Sequence, residues 1–154
     1  MERIQRVLVP VDFSDYSRKA LNYATDFADS VGAEIFIVYV FRPVFEDVEA
    51  GLLSEQVQIT GEMQQYARNR LEKLVEEEIA GRVPASIAIR VGRPFLEICR
   101  AAEEYGADLI IIATHGHTGV QHLLFGSVAE KVVRKAPCPV LTLREPARGF
   151  RFEA

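Results

Sequence analysis

Two stretches of the 154-residue chain combine residue types that can hold a charged ligand. One is Ala113-Thr-His-Gly-His-Thr-Gly119, which leads on to Phe125-Gly126-Ser127-Val128-Ala129. Gly126 and Ser127 open a helical pattern, and a helix start is where phosphate binds best. Its first N–H groups have no partner within the helix, and the aligned peptide dipoles add roughly half a positive charge there. Gly116 and Gly126 would let the backbone approach phosphate oxygens, and the Ser127 hydroxyl adds a donor. A glycine at a helix start also serves as a simple turn, so on chemistry alone both readings stay open. The other stretch is Pro10-Val-Asp12-Phe-Ser14. There Asp12 is either an acceptor for a polar ligand or a solvated acidic cap of the helix that follows.

Other combinations carry less. His115, His117 and His122 lack the compact spacing and the cysteine or carboxylate partners of a zinc site, and are expected to line a cleft. No Ser-His-Asp, Cys-His or HExxH set can be assembled, and the Gly126-Ser127 stretch lacks the Gly-Lys-Ser/Thr ending of a P-loop. Phosphoryl transfer also needs a charge clamp and a positioned nucleophile, so at most slow hydrolysis is expected. Cys99 and Cys138, the only cysteines, read as reduced, buried thiols and not as a disulfide framework.

The elements that must position these residues follow from pattern. Arg6–Asp12 is an apolar run of the kind that forms a strand buried on both faces. Ser14 then caps a helix with Ala20, Ala24, Phe27, Ala28 and Val31 on its inner face, closed by Gly32. Glu34–Val40 is β-branched and aromatic and forms the second strand. A long connection over 41–53 leads into a helix expected from about Ser54 to Ile79, with Met63, Ala67, Leu71, Leu74 and Val75 inward and a charged outer face. Ser86–Gly92 alternates as a sheet-edge strand would. A helix follows over Arg93–Tyr105, with Phe95, Ile98, Cys99 and Ala102 inward and Gly106 at its end. Asp108–Thr114 is the most hydrophobic strand and is expected at the centre. A helix over Ser127–Ala136 and a last strand over Pro139–Leu143 complete the pattern.

Strict β-α alternation implies an open five-stranded parallel sheet of α/β, Rossmann-like type, with helices on both faces. Ligands bind such sheets beyond the C-terminal strand ends, where the strand order reverses. If the Asp12 and Gly116 stretches flank one crevice, the first and fourth strands are neighbours. That favours the order 3-2-1-4-5 over 2-1-3-4-5. Residues 1–145 are expected to form one domain and 146–154 a loose tail.

Bulk properties limit the partners. With 49% hydrophobic and 26% charged residues, the chain reads as an ordinary globular protein. No run of 18 apolar residues and no leader-like N-terminus is present, so a cytoplasmic protein without membrane contact is expected. The net charge of −4, with scattered lysines and arginines, argues against a nucleic-acid groove. It leaves room for one nucleotide held by backbone groups.

The chain resembles the universal stress protein family. The matching residues are Val9-Pro10-Val11-Asp12-Phe13-Ser14, Val91-Gly92-Arg93-Pro94, Gly116-(nine residues)-Gly126-Ser127 and Pro137-Cys138-Pro139-Val140, in the same order over about residues 4–144. The resemblance implies an ATP-binding regulatory homodimer active in the stress response. In it Asp12 would accept from the ribose hydroxyls, the Val40 backbone would meet the adenine, and Pro10 and Ile112 would wall the base. Gly116, Gly126, Ser127 and Val128 would wrap the phosphates of ATP, ADP or AMP, with Mg²⁺ arriving on the triphosphate. Ala113 stands where ATP-binding members carry glycine. Alanine is tolerated if that position needs only a small side chain beside the ribose, and weakens binding if it needs a left-handed backbone. The dimer would form through strand 139–143, an apolar edge that invites pairing. Two rivals are a nucleotide-free dimeric interaction module and a true ATPase or adenylyl-transferring enzyme on the same fold.

Overall fold

A computed structural model describes residues 3–43, 60–116 and 125–144. Five strands, β1 (Arg6–Val11), β2 (Glu34–Phe41), β3 (Ala85–Val91), β4 (Leu109–Ala113) and β5 (Val140–Leu143), alternate with helices α1 (Asp15–Val31), α2 (Gly61–Leu74), α3 (Pro94–Tyr105) and α4 (Ser127–Lys135). All strand pairings are parallel, in the order β3-β2-β1-β4-β5. The sheet is therefore the expected five-stranded, Rossmann-like α/β one.

The centre belongs to β1 and not to β4. Val7, Leu8 and Val9 are completely buried, because strands and helices cover β1 on every side. Successive side chains of a strand point to opposite faces, and β1 divides accordingly. Val7, Val9 and Val11 join Leu21, Ala24 and Leu71 in one core. Leu8 joins Ile98, Ile110, Ile112 and Val132 in a second core, on the opposite face. β4, interior but off-centre, is hydrophobic for the same two-sided reason.

Local signals set most boundaries. Ser14 caps α1, its Oγ accepting from the Ser17 N–H at 3.2 Å, and Gly32 closes it in the left-handed region at φ 71°. Pro94 starts α3, where its missing N–H is harmless, and Gly106 ends it at φ 67°.

Two expectations for the second helix fail. Thr60 has an extended backbone and caps α2 by accepting from Met63 N–H, so the helix starts at Gly61; residues 54–59 lie outside the described residues. Met63 is 41% exposed, because the buried stripe begins only at Ala67. At its C-terminal end α2 widens into a π-helical turn, Val75–Ile79. That turn brings consecutive Glu77 and Glu78 onto one cation of α1, Arg18, at 3.1 and 2.6 Å. In a regular helix neighbouring side chains diverge by about 100°.

β3 forms one edge, as its alternation predicts, and β5 the other. Leu141 and Leu143 pack on the first core and Val140 on the second. No helix among the described residues is long and apolar enough to cross a membrane. The expected tail over 146–154, and residues 44–53 of the long connection, lie outside the described residues.

Candidate functional site

β1 and β4 pair directly, Val7 with Leu109 and Leu8 with Ile110, so their exits open onto one crevice where the strand order reverses. Asp12 is the first residue beyond β1. Its Oδ1 accepts from the Ser14 N–H at 3.0 Å and from the Ser14 hydroxyl at 2.5 Å. Its own N–H donates to Ser17 Oγ at 3.3 Å. The carboxylate is thus divided: Oδ1 serves the helix cap, and Oδ2 lies where a β-carbon on residue 116 would fall. The reading of Asp12 as an acidic partner of the helix that follows is met by these bonds. It supports the cap of α1, and it directs an oxygen at the glycine stretch.

The exit of β4 is closed by backbone. Ala113 is still in the strand, paired with Leu143, and is not among the residues of positive φ. An extended position accepts alanine without strain. Thr114 is 3% exposed. Its N–H donates to the Leu143 carbonyl at 2.9 Å, and its carbonyl accepts from the Gly126 N–H at 2.5 Å. A β-carbon on Gly126 would stand 2.8 Å from that same carbonyl oxygen. Gly126 is therefore required for the chain to close on itself, a reason sequence reading did not supply. Its N–H is already engaged, which leaves the amides of Ser127 and Val128 at the start of α4, where no side chain caps the helix.

The other expected site residues fall on one face. Val40, Ile112 and Val128 all belong to the second core, and Pro10 is buried on β1 in the same alternation as Leu8. Val40 sits near the C-terminal end of β2, paired with Arg90. His115 borders the crevice, its Nδ1 3.0 Å from Thr114 Oγ1 and its ring centroid 5.8 Å from that of Tyr16. His117 and His122 lie outside the described residues.

On the opposite side of the β1 exit lies a cavity of about 160 Å³ between α1 and α2, with Phe13, Ser17, Arg18, Arg70 and Lys73 in its wall. Phe13 holds φ 63°. A left-handed backbone costs a residue with a β-carbon roughly 1–2 kcal/mol. The ring packs against Tyr39, with centroids 4.8 Å apart, and against the Arg70 guanidinium, 4.0 Å from its centre. Burial pushes the Tyr39 phenol above its ordinary pKa; the Arg70 charge opposes the rise and the Asp12 charge adds to it. The Val-Asp-Phe-Ser sequence points to Asp12 and Ser14 but gives no sign of this packing.

Cys99 and Cys138 are free thiols, half-buried where full burial is expected. Cys138 packs against the second core, and partial burial raises both thiol pKa values. Among the described residues no group of three or more His, Cys, Asp or Glu could hold a metal ion.

The model of the universal stress protein family matches residues 3–144. A universal stress protein of Methanocaldococcus jannaschii is 34% identical over 149 residues, covering 94% of this chain and 84% of its own length. A solved universal stress protein from Lactobacillus plantarum superposes with a TM-score of 0.77 at 26% identity, covering 94% of this chain and all of that one. The universal stress protein from Archaeoglobus fulgidus, solved in complex with dAMP, has the same fold. It superposes with a TM-score of 0.66 at 23% identity, over 92% of this chain and 98% of its own. On the family match and the level of identity, this chain belongs to the universal stress protein family.

Proposed function

We propose that the chain binds an adenine nucleotide, ATP foremost, in the crevice between the exits of β1 and β4, and acts as a regulatory binder and not as a fast catalyst. The observation that carries this reading is Asp12 Oδ2 set against the bare backbone of Gly116 across the strand-order switch. An acidic acceptor close against a glycine backbone suits a ribose whose hydroxyls donate while its phosphates lie along main-chain amides. Val40, Pro10 and Ile112 supply an apolar wall for the base, and Ala113 leaves the floor narrow. Ser127 and Val128 offer amides at the start of α4 with a favourable dipole. A fold neighbour solved with dAMP supports the ligand class. Mg²⁺ would be held chiefly by phosphate oxygens, as that ion prefers, with the Ser127 hydroxyl within the same turn.

Calorimetric titration with ATP and with 2′,3′-dideoxy-ATP tests the reading. Asp12→Ala is expected to weaken ATP by about 1–3 kcal/mol, the scale of a hydrogen bond to a charged group, and to leave the dideoxy compound nearly unchanged. A mutant that discriminates between the two as the wild type does would remove Asp12 from the ribose.

A homodimer through β5 is part of the same proposal. The carbonyls of Pro139 and Leu143 accept from β4. By strand alternation the N–H groups of Val140 and Thr142 then point to the open edge, where an antiparallel copy can pair with them. Leu141 and Leu143 face the first core, so changing them would test folding as much as assembly. Thr142→Pro removes an outward donor and no hydrogen bond to β4. It is expected to turn a dimer seen by light scattering into a monomer of unchanged circular dichroism. A wild type that runs as a monomer at micromolar concentration rules out this interface.

A further inference from the structure

We propose that Arg70 of α2, acting through Phe13, is a positioning residue for Asp12, so that α2 helps to set how well the crevice holds a ribose; this rests on the nucleotide reading above. Phe13 is one of two non-glycine residues of positive φ among those described, at 63°, and it separates Asp12 from Ser14. A bulky side chain keeps that conformation only where its surroundings over-determine it. Those surroundings are the Tyr39 ring, with centroids 4.8 Å apart, and the Arg70 guanidinium, 4.0 Å from the Phe13 centroid. The turn that Phe13 makes lets Ser14 donate both its N–H and its hydroxyl back to Asp12 Oδ1. With Oδ1 tied in this way, Oδ2 is directed at Gly116.

A relaxed Phe13 would swing Ser14 away and let the carboxylate rotate off the crevice. Arg70 stands a full element away in sequence, so the carboxylate at the β1 exit depends on where α2 lies. Glycine at position 13 would adopt the same backbone at no steric cost and free Asp12 from dependence on Arg70.

The test compares wild type, Arg70→Ala, Phe13→Ala, Phe13→Gly and the Phe13→Gly/Arg70→Ala double variant. Affinities for ATP and 2′,3′-dideoxy-ATP are measured by calorimetry, and hydrogen exchange at the Ser14 amide by NMR in the nucleotide-free protein. Arg70→Ala and Phe13→Ala are expected to weaken ATP roughly fivefold, the order of one net hydrogen bond, with the dideoxy compound unchanged. They should also speed exchange at Ser14 while the buried turn around Leu21 keeps its protection. On the Phe13→Gly background, Arg70→Ala should change neither quantity. Equal weakening of both nucleotides would make Arg70 a direct contact or a general charge effect and overturn the inference. So would an unchanged Ser14 exchange rate, or a full Arg70 effect in the glycine background. A wild type that binds neither nucleotide removes the nucleotide reading and this inference with it; selective failure of the Arg70 effects removes this inference alone.

Discussion

The two ends of the same five strands are built on opposite terms. At the end where the strands begin, polar groups consume one another. Asp108 Oδ2 accepts the N–H groups of Gln5 and Arg6 at 2.8 and 2.9 Å. The Arg6 guanidinium donates to the Tyr105 carbonyl at 3.1 Å and pairs with Glu34 at 3.4 Å. The Tyr105 ring stacks on Phe36 with centroids 4.4 Å apart. Where the strands finish, the chain accepts a left-handed phenylalanine, a glycine over which a carboxylate lies, and a glycine pressed against a carbonyl. The first end is arranged for pairing and the second holds groups in costly positions, as functional sites do while the remaining structure compensates. The split separates the two ends in physical terms: one is rich in satisfied polar pairs, the other in strain and close-packed backbone.

The largest expected effect comes from breaking the working end. Gly126→Val places a β-carbon against the Thr114 carbonyl, 2.8 Å away, and neither wall is free to retreat because Thr114 is tied to β5. Calorimetry should find no measurable ATP binding, while circular dichroism retains the α/β signature and the melting point falls by a few degrees, for about 1–3 kcal/mol of overpacking. Wild-type affinity in the mutant would show that the closure is not needed.

A mid-sized effect of the opposite kind is expected at the starting end. Asp108→Ala leaves the Gln5 and Arg6 amides to water and should cost about 1 kcal/mol of stability, the modest net value of exposed hydrogen bonds. Nucleotide affinity should not move. A loss of affinity larger than the loss of stability would mean that the two ends are coupled.

The smallest effect concerns pH. Burial first, then the hydrogen bond to Glu34 and its charge, push the Tyr105 phenol from 10.0 up to about 12. A group whose folded pKa is raised contributes stability fully below its unfolded pKa and loses it as pH climbs through the folded one. Urea denaturation should therefore show stability falling between about pH 10 and 12, and Tyr105→Phe should flatten part of that fall. An unchanged slope in the mutant would assign the alkaline loss elsewhere.

Much of the frame could be read in the chain because its signals are local. Ser14 before a 3.6-residue pattern and glycines at 32 and 106 mark helix ends through chemistry that neighbours cannot override. The strand order followed from one argument, that Asp12 and Gly116 must share a crevice, and the β1–β4 pairing agrees with it. Features made by partners distant in sequence could not be read. Phenylalanine has no preference for a left-handed backbone, so Phe13 depends on Tyr39 and Arg70. The π-helical turn at Val75–Ile79 answers to Arg18 on another helix. Met63 has the spacing of a core residue yet lies in the exposed first turn of α2. Gly126 was legible as the glycine that opens a helix, but its steric reason lies in Thr114, twelve positions away.

The hydrogen bond from the Gly126 amide to the Thr114 carbonyl makes the crevice modular. It fastens the base of a backbone ring whose two posts, β4 and α4, are rooted in the second core. Whatever the ring contains, its posts stay at a fixed spacing. Closing such a ring becomes dearer only slowly with length, by about 0.6 kcal/mol for each doubling. A change in the length of the connection between the posts therefore costs the sheet little. Ligand preference in a protein built this way can drift through one replaceable insert while the folding unit beneath it is inherited intact.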